Sequence, residues 1–534
     1  MTGHRMNEEV AQETPPQTID RDTQQFRSQV GHISRHSGMY FAGTIFTGAL
    51  GYVFKVYVAR VLGAENLGLY ALGITLIGFI GIFNTLGLPQ AAVRFVAEYR
   101  AAGKFKELHA LLWRGVALLL ISNVLLAGIL LSFGKFIAAR FYHSPALVRY
   151  LPLFALMMLF GVVTTFYSKV LAGYRDLKLR TLIVNFIGSP LNMLLTVLLL
   201  SMGMELRGYL VSQIVTAAIV CLLLLAAVWQ LTPPEARFFN QSGSFPGRTL
   251  WSFSGTMLGV GFLGFVMSQV DRVALGYYRG ARDVGIYSVA AALVVYMPLA
   301  LNSVNQIFAP TIADLHTRGE HALLARLFQS FTKWIVGLTL PLALVIIVFA
   351  RPLMRIFGHD FEVGWPILII GAVGQLVNCG VGSVGNLLIM SGNERRLIKV
   401  QIAMAAFMTT GSVALVPLWG IYGAALAAAM TTVGMNVLNL LEVRKALGIS
   451  PYNRSYLHLF LPTAATLALT LVLKKWAFVF RHDWLAVGVA LVLAYCVFPA
   501  VFYFIAGLDA DDRLIASALR SRMRTALGHT GAQA

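Results

Sequence analysis

The chain has 534 residues, of which 57% are hydrophobic and only 12% charged, whereas soluble domains carry about 25% charged residues. This composition excludes an ordinary soluble domain and indicates an integral membrane protein. The net charge of +19 does not require a nucleic-acid partner, because the basic residues are spread over short loops, as the positive-inside rule explains. Cys221, Cys379 and Cys496 lie in apolar runs without neighbours at metal-ligand spacing, so we predict neither disulfides nor a metal site.

Residues 1–36 are polar and rich in Gln, Thr and Arg, without the apolar core of a secretory signal peptide. We expect this tail to be disordered and cytoplasmic. Apolar runs of about 20 residues dominate the rest of the chain, which is the length of a membrane-spanning helix and not the pattern of a barrel strand. The sequence therefore predicts an all-α integral membrane protein with about fourteen transmembrane helices. The predicted spans lie near 38–61, 68–88, 110–133, 148–168, 181–202, 208–230, 250–276, 285–305, 330–350, 365–390, 398–417, 421–442, 456–474 and 484–507.

One short segment occurs twice, each time running from the end of one span through a turn into the next. Residues 53–70 read VFKVYVARVLGAENLGLY, and residues 270–287 read VDRVALGYYRGARDVGIY. The offset of 217 residues corresponds to six predicted spans. Because six is even, both copies cross the membrane in the same direction, and we expect a pseudo-twofold axis along the membrane normal to relate them. The identical positions are Val53/Val270, Val56/Val273, Gly63/Gly280, Ala64/Ala281, Gly68/Gly285 and Tyr70/Tyr287.

The repeat divides the chain into two pseudo-symmetric six-helix lobes followed by two C-terminal helices. Most of the 42 lysine and arginine residues fall in segments that are cytoplasmic if the N-terminus is inside, so we expect both termini inside. The predicted divisions are an N-lobe of spans 1–6 (37–230), a linker (231–249), a C-lobe of spans 7–12 (250–446), spans 13 and 14 (447–507) and an amphipathic cytoplasmic tail (508–534).

Ionisable side chains inside predicted spans are costly to insert, so they are candidate functional residues. Lys55 and Arg272 lie at matching places in spans 1 and 7. They are candidate substrate-binding cations in one interpretation and snorkel to the outer interface in the other. Asp271 corresponds to Phe54, so only one lobe carries the acid. We consider it a candidate coupling residue that pairs with Lys55 or titrates during transport, with a structural ion pair as the alternative.

Other charges lie nearer the predicted cytoplasmic ends. Arg114 in span 3 contacts the substrate in one interpretation and snorkels to the cytoplasm in the other. Arg94, Glu98 and Asp314 lie at loop mouths, where gate or interfacial salt bridges fit better than a binding site. No nucleophile, base and acid stand together, and the loops are too short for a glycosyltransferase domain, so we expect no enzymatic activity.

Several short motifs, in this order and spacing, resemble a known superfamily. The matching elements are Ala59-Arg60-Val61-Leu62-Gly63, Gly68-Leu69-Tyr70, Leu86-Gly87-Leu88, Arg94…Glu98-Tyr99, Asp271-Arg272…Gly285-Ile286-Tyr287 and Gly420-Ile421-Tyr422-Gly423-Ala424. Over residues 38–507 the chain resembles the polysaccharide-transporter branch, with its Wzx-type oligosaccharide flippases, of the multidrug/oligosaccharidyl-lipid/polysaccharide (MOP) exporter superfamily. The resemblance implies a V-shaped pair of six-helix bundles that moves lipid-linked sugars by alternating access.

On this resemblance we expect a flippase that carries polyprenyl-diphosphate-linked oligosaccharide repeat units across a bacterial inner membrane for O-antigen, exopolysaccharide or capsule synthesis. Lys55 and Arg272, with Arg114 nearer the cytoplasm, would then form a cationic clamp for the lipid diphosphate. The implied partners are membrane lipids, a polysaccharide polymerase and glycosyltransferases, but no nucleic acid. No cofactor is expected, and a proton or sodium ion is the candidate coupling ion. A multidrug cation antiporter of the same superfamily and a non-transporting scaffold of a polysaccharide-assembly complex are the alternatives.

Overall fold

A computed structural model of the chain describes residues 51–237, 247–476, 482–507, 509 and 511–513. Nearly all of these residues are helical, and none of them forms a strand. The predicted all-α membrane class is therefore confirmed. The predicted disordered tail at 1–36, the first part of span 1 and most of the predicted amphipathic tail at 508–534 lie outside the described residues.

The N-lobe begins with helices that run directly into one another through short turns. Two π-helical segments, Ile137–Phe141 and Leu182–Gly188, extend its third helix and lead into its sixth. The helices of the N-lobe are α1 (Gly51–Asn84), α2 (Leu88–Ala101), α3 (Phe105–Phe136), α4 (Leu151–Gly173), α5 (Leu177–Thr181), α6 (Ser189–Ser201) and α7 (Glu205–Leu231), followed by the short α8 (Pro234–Arg237) in the predicted linker.

The C-lobe has a comparable series of helices, and a bend of 54° separates its second helix from its third near Pro298. The chain leaves the helix at 295–298, so the predicted span at 285–305 is interrupted at Pro298. The remaining helices are α9 (Gly247–Arg279), α10 (Ala281–Val294), α11 (Leu299–Thr317), α12 (His321–Val348), α13 (Ala350–Phe357), α14 (Trp365–Val381), α15 (Val384–Met390), α16 (Glu394–Leu447), α17 (Phe460–Lys475) and α18 (Asp483–Val501).

Eleven helices in the described chain are long and apolar enough to cross a membrane, and the bent pair α10–α11 gives a twelfth. Two of the eleven contain a backbone break. Helix α16 has 54 residues, about 80 Å or more than twice the hydrocarbon thickness, and is kinked at Gly420 (φ 56°, ψ −128°). Gly63 likewise has a φ of 72° within α1. The count of fourteen spans stays a prediction, which requires that each of these helices crosses the membrane twice.

The two lobes share one hydrophobic core at one end of the molecule and have separate cores at the other. The shared core joins Val58 and Leu69 of the N-lobe to Val284 and Met297 of the C-lobe. A second core contains only residues between 88 and 236, and a third only residues between 308 and 449. The lobes therefore share a core at what we call the sealed end, and each has a core of its own at the opposite end, which we call the divergent end.

The repeated turns meet at the sealed end and pack reciprocally. A Cβ atom added to Gly68 would lie 1.7 Å from the carbonyl oxygen of Ala281, and one added to Gly285 would lie 1.9 Å from that of Ala64. Because Gly68/Gly285 and Ala64/Ala281 are repeat-related pairs, the pseudo-twofold axis passes between these backbones. Gly63 and Gly280 are also equivalent, and both have a positive φ. Only glycine allows so close an approach of the two helix starts.

The last two helices pack on the C-lobe. Ala486, Ala490 and Ala494 form one small-residue face of α18 that is buried against Val345 and Phe349 at the end of α12.

The C-terminal segment beyond α18 also returns to α12. The buried Lys333 ammonium lies 2.6 Å from Asp509 and 2.6 Å from Asp512, and the Trp334 indole donates to Asp512 over 3.0 Å. Arg326 pairs with Asp511. We call Asp509, Asp511 and Asp512 the C-terminal carboxylates. They bind the segment after the last span to the C-lobe.

Candidate functional site

A cavity of about 280 Å³ lies between the lobes, directly below the reciprocal glycine contact. We call it the central cavity. Its wall combines aromatic rings and aliphatic side chains with a few polar groups. The polar and aromatic residues that line it are Tyr52, Phe54, Lys55, Tyr70, Tyr209, Gln269, Arg272, Ser288, Tyr296 and Phe357.

The structure places Lys55 and Arg272 at the wall of this one cavity, from repeat-related positions in opposite lobes. Among the described residues neither side chain makes an ion pair. The Lys55 ammonium lies 5.5 Å from the centroid of the Tyr296 ring, a cation–π distance. Two cations in one partly dehydrated cavity repel, so an anion between them would relieve an unfavourable arrangement.

Arg272 is held more firmly than Lys55. Its Nη1 donates to the Ser268 carbonyl over 2.9 Å and to the Gln269 amide oxygen over 2.8 Å, and its Nε donates to the Ser288 hydroxyl over 3.3 Å. These bonds use neutral acceptors, so the guanidinium is oriented while its charge is not cancelled. Gln269, Ser288 and Tyr296 were not among the sequence-predicted site residues, because no charge or repeat identity distinguished them.

Asp271 does not pair with Lys55 in the described chain. It is 6% exposed, its Oδ2 accepts from the Tyr287 hydroxyl over 2.5 Å, and its Oδ1 accepts from the Arg272 backbone N–H over 2.8 Å. The repeat partner of Tyr287 is Tyr70, whose hydroxyl accepts from the Gln213 amide over 2.9 Å instead. The repeat thus places equivalent tyrosines in both lobes but gives only one of them an acidic partner. The identity at Tyr70/Tyr287 was the sequence signal that could have identified Tyr287.

The remaining predicted site residues lie elsewhere. Arg114 is exposed on α3 and does not line the central cavity. Arg94 lies 3.9 Å from Glu98 along α2, and Asp314 lies 2.9 Å from Arg318 along α11. Both are exposed pairs at (i, i+4), which typically contribute about 0.3–0.5 kcal/mol, and neither joins the two lobes.

Two further spaces adjoin the central cavity. A space of about 430 Å³ shares Gln269 with it and continues along Gly78, Ile82 and Gln90 toward the divergent end. A groove of about 1130 Å³, here the lateral groove, is lined almost entirely by apolar side chains of both lobes, including Phe79, Phe265 and Ile402.

On α9 the two environments alternate along the helix. Val270 and Val273 line the lateral groove, whereas Gln269 and Arg272 line the central cavity. Among the described residues no group of three His, Cys, Asp or Glu side chains could hold a metal ion.

Two bundles of membrane helices with a polar cavity between them are the architecture that is common among secondary transporters. A sequence profile described as "Polysaccharide biosynthesis protein" matches residues 33–316, and the MatE profile matches residues 257–379. The chain belongs to the polysaccharide biosynthesis protein family, in the polysaccharide-transporter branch of the MOP superfamily.

Two solved structures have a similar fold. The lipid II flippase MurJ in an inward closed conformation has a TM-score of 0.65 at 13% identity, covering 87% of this chain and 99% of MurJ. A multidrug resistance MATE family transporter of the MOP superfamily, in an inward-facing conformation, has a TM-score of 0.58 at 14% identity, covering 74% of this chain and 94% of the transporter.

A curated relative connects the family to polysaccharide synthesis. The teichuronic acid biosynthesis protein TuaB of Bacillus subtilis is 23% identical over 374 residues, which are 67% of this chain and 73% of TuaB. By its membership of this family, the protein is a multi-pass membrane transporter of the MOP superfamily and not an enzyme, as the sequence predicted.

Proposed function

We propose that the protein moves a polyprenyl-diphosphate-linked oligosaccharide across the inner membrane, with both termini in the cytoplasm, by alternating access of the central cavity. The observation that carries the proposal is the pair of repeat-related cations, Lys55 and Arg272, at the wall of one cavity between the lobes. A diphosphate between the two cations would supply an anion that relieves their mutual repulsion.

The arrangement of the cores supports alternating access. The shared core closes the sealed end, and the separate cores leave the lobes free to move at the divergent end. The predicted topology places the sealed end outside and the divergent end in the cytoplasm, where the lipid-linked unit is made. The described conformation would then receive cargo from the cytoplasm.

The neighbouring environments suit an amphiphilic cargo. Gln269 and Arg272 offer polar contacts in the central cavity, and Val270 and Val273 of the same helix face the apolar lateral groove. A charged headgroup could occupy the cavity while a polyprenyl chain lies in or beside the groove, in contact with lipid. The sugar repeat unit would require a wider cavity than the one described, so we expect the lobes to separate further on loading.

The alternatives account for fewer of these observations. A transporter of cationic drugs needs an accessible acid, but Asp271 is buried against Tyr287 and the charged side chains that line the cavity are basic. A non-transporting scaffold would not need cavity cations at all. Asp271 is our candidate for coupling to a proton or sodium ion, and a polymerase and glycosyltransferases are the proposed partners.

The test replaces both cations, in the double variant Lys55→Ala/Arg272→Ala, in cells that depend on the protein for surface polysaccharide. We expect surface polysaccharide to be lost while the lipid-linked unit accumulates on the cytoplasmic side. The matched control is Lys135→Ala/Arg140→Ala, which removes two exposed cations away from the cavity and should leave synthesis unchanged. Full synthesis by the cavity variant, at equal protein level, would contradict the clamp and support snorkelling or a scaffold.

A second pair of variants separates charge from geometry. Arg272→Lys keeps the positive charge but loses the planar fork that donates to Ser268, Gln269 and Ser288, so we expect partial flux. Arg272→Ala should have the lower flux of the two. Equal flux in the two variants would mean that charge at this position does not bind the cargo.

A further inference from the structure

A second large cavity, of about 870 Å³, lies at the sealed end on the side of the C-terminal helices. It is separate from the central cavity and shares no lining residue with it, although Ile356 of the one and Phe357 of the other are neighbours at the carboxyl end of α13. The walls come from α13, from the adjoining ends of α12, α14, α17 and α18, and from Arg60 of α1. We call it the basic pocket. Its charged and aromatic lining residues are Arg60, Arg351, Arg355, Lys474, His482, Asp483, Phe349, Trp365 and Trp484.

The basic pocket has more positive than negative charge. Glu362 binds Arg351 over 2.5 Å and Arg355 over 3.2 Å, and Asp483 lies 3.7 Å from Arg355. These two carboxylates are engaged with the two arginines of α13. Within the described part of the chain, no ion pair compensates the remaining two cations, on α1 and α17.

Arg60 is oriented by a bond to a neutral group. Its Nε donates to the Ile356 carbonyl over 2.7 Å, which links the N-lobe to α13 of the C-lobe and leaves the guanidinium charge uncompensated. Lys474 is exposed at the end of α17 and lines the same pocket. The two uncompensated cations therefore come from opposite sides of the lobe boundary.

The rest of the lining is apolar or aromatic. Ile347, Val348 and Ile369 form aliphatic wall, and the indoles of Trp365 and Trp484 are partly exposed. The volume is within the range of about 300–1,000 Å³ that is common for sites of small ligands. An oxyanion is the group that arginine and lysine bind best, and the apolar wall suits the less polar part of the same molecule.

We propose that the basic pocket binds the oxyanionic headgroup, phosphate or carboxylate, of an amphiphile at the membrane surface. Arg60 and Lys474 make the principal contacts. Because Arg60 belongs to the N-lobe and Lys474 to the C-terminal helices, an occupant that contacts both favours the conformation in which the sealed end is closed. This inference does not depend on the cargo proposed for the central cavity.

Snorkelling of the same cations to the interface makes a different prediction. A set of interfacial anchors attracts anionic lipid as a diffuse layer, and its effect depends on total charge and not on position. Binding in a specific pocket depends on two particular side chains, Arg60 and Lys474. Variants with equal charge change at different positions distinguish the two.

The experiment measures lipid binding to the purified full-length protein by native mass spectrometry, with phosphatidylglycerol and phosphatidylcholine as probes. The variant is Arg60→Gln/Lys474→Gln, and the matched control is Lys135→Gln/Arg140→Gln, which removes two exposed cations outside the pocket. We expect phosphatidylglycerol affinity to fall at least about tenfold in the first and to stay unchanged in the second. Arg60→Lys/Lys474→Arg should retain most of the affinity, which separates loss of charge from misfolding.

A second arm identifies the source of the oxyanion. Inorganic phosphate and a soluble uronate oligosaccharide are tested as competitors of phosphatidylglycerol on the wild type. Competition by the oligosaccharide alone assigns the pocket to a carboxylate-bearing glycan, and competition by neither assigns it to the lipid headgroup with its acyl chains. Equal phosphatidylglycerol affinities in the pocket variant and the control variant would overturn the proposal.

Discussion

At the level of single residues, the pseudo-symmetry of the chain is broken at one buried group. Tyr70 and Tyr287 are repeat-related, but Tyr70 exchanges hydrogen bonds with Gln213, whereas Tyr287 donates to the Asp271 carboxyl group. The N-lobe position that corresponds to Asp271 is Phe54, so Tyr70 has no acidic side chain there to bind. This asymmetry is the reason that we propose Asp271 as the coupling residue.

Tyr287→Phe removes the donor to Asp271 and leaves a buried carboxyl oxygen unsatisfied. We expect a loss of about 1–3 kcal/mol in the free energy of unfolding and impaired transport. Tyr70→Phe is the symmetric control, which removes a hydroxyl with a neutral partner and should cost only about 0.5–1.5 kcal/mol. Thermal unfolding in detergent and flux in proteoliposomes measure the two effects. Equal losses of stability and of flux in the two variants would show that the hydrogen bond to Asp271 contributes no more than the one between Tyr70 and Gln213.

At the level of elements, the close approach of the two helix starts at the sealed end depends on two glycines, Gly68 and Gly285. The backbones of residues 64–68 and 281–285 approach so closely that a single methyl group cannot be accommodated without displacement. This contact lies in the core that both lobes share. The lobes therefore meet at the sealed end through direct backbone packing.

Gly68→Ala/Gly285→Ala should open the sealed end, because each new Cβ would overlap a carbonyl oxygen of the other lobe. Overpacking of this kind costs about 1–3 kcal/mol per site. Gly128→Ala/Gly161→Ala is the control, since a Cβ at either of these positions meets no atom within 4 Å. Distances between spin labels at the sealed end should lengthen in the first variant only. Unchanged spin-label distances in Gly68→Ala/Gly285→Ala would mean that the two helix starts accommodate the added methyl groups without moving apart.

The contact between the C-terminal carboxylates and α12 should depend on pH. Burial raises the pKa of Asp509, but the hydrogen bond from the Lys333 ammonium and other favourable contacts outweigh burial and hold that pKa below its usual value of 3.8. Burial raises the pKa of Asp512, which Lys333 offsets only in part. Ionised Asp509 therefore stabilises docking above about pH 3.8 and loses this contribution as the pH falls through its lowered pKa. Asp512 acts with the opposite sign, because its raised pKa favours the protonated form in the docked state.

Asp509→Asn should lower the stability of the docked segment at pH 7 by about 1 kcal/mol, since the partial exposure of this side chain screens the pair. The difference from wild type should begin to shrink below about pH 3.8 and vanish below the lowered pKa, where the wild-type carboxyl group also takes up a proton. Thermal unfolding midpoints measured from pH 3 to pH 7 test this. Asp314→Asn, which removes an exposed (i, i+4) partner, should show no such dependence. A pH-independent difference for Asp509→Asn would exclude the ion pair as its cause.

At the level of the whole molecule, one shared core and two separate cores define which end can open. The central cavity lies below the sealed end and continues toward the divergent end through the space beside Gly78 and Gln90. With the predicted topology, this conformation faces the cytoplasm. Access to the cavity wall should therefore depend on the side from which a reagent is added.

Ser288→Cys, in a background without the three native cysteines, places a thiol on the wall of the central cavity. We expect a membrane-impermeant maleimide to label it in inverted vesicles and not in intact cells. Met202→Cys, exposed at the predicted outer end, should show the opposite pattern, and Lys104→Cys at the predicted inner end should follow Ser288→Cys. Labelling of Ser288→Cys from outside alone would reverse the assignment of the open end.

The local pattern of the sequence was sufficient for the class of fold. Apolar runs of membrane length predicted helices, because the bilayer leaves backbone groups no other partners. The repeat at Gly68 and Gly285 predicted the symmetry of the lobes, and the shared position of Lys55 and Arg272 predicted that they belong together. The family followed from the order of short motifs.

Tertiary packing decided what local pattern could not. The absence of Arg114 from the cavity wall and the choice of Tyr287 over Lys55 as the partner of Asp271 both depend on which helix faces meet. The basic pocket likewise joins Arg60 to side chains that lie about 300 or more residues further along the chain. Hydrophobicity and repeat spacing constrain a helix along its own axis, but its rotation and its neighbours are fixed only when all the bundles pack together.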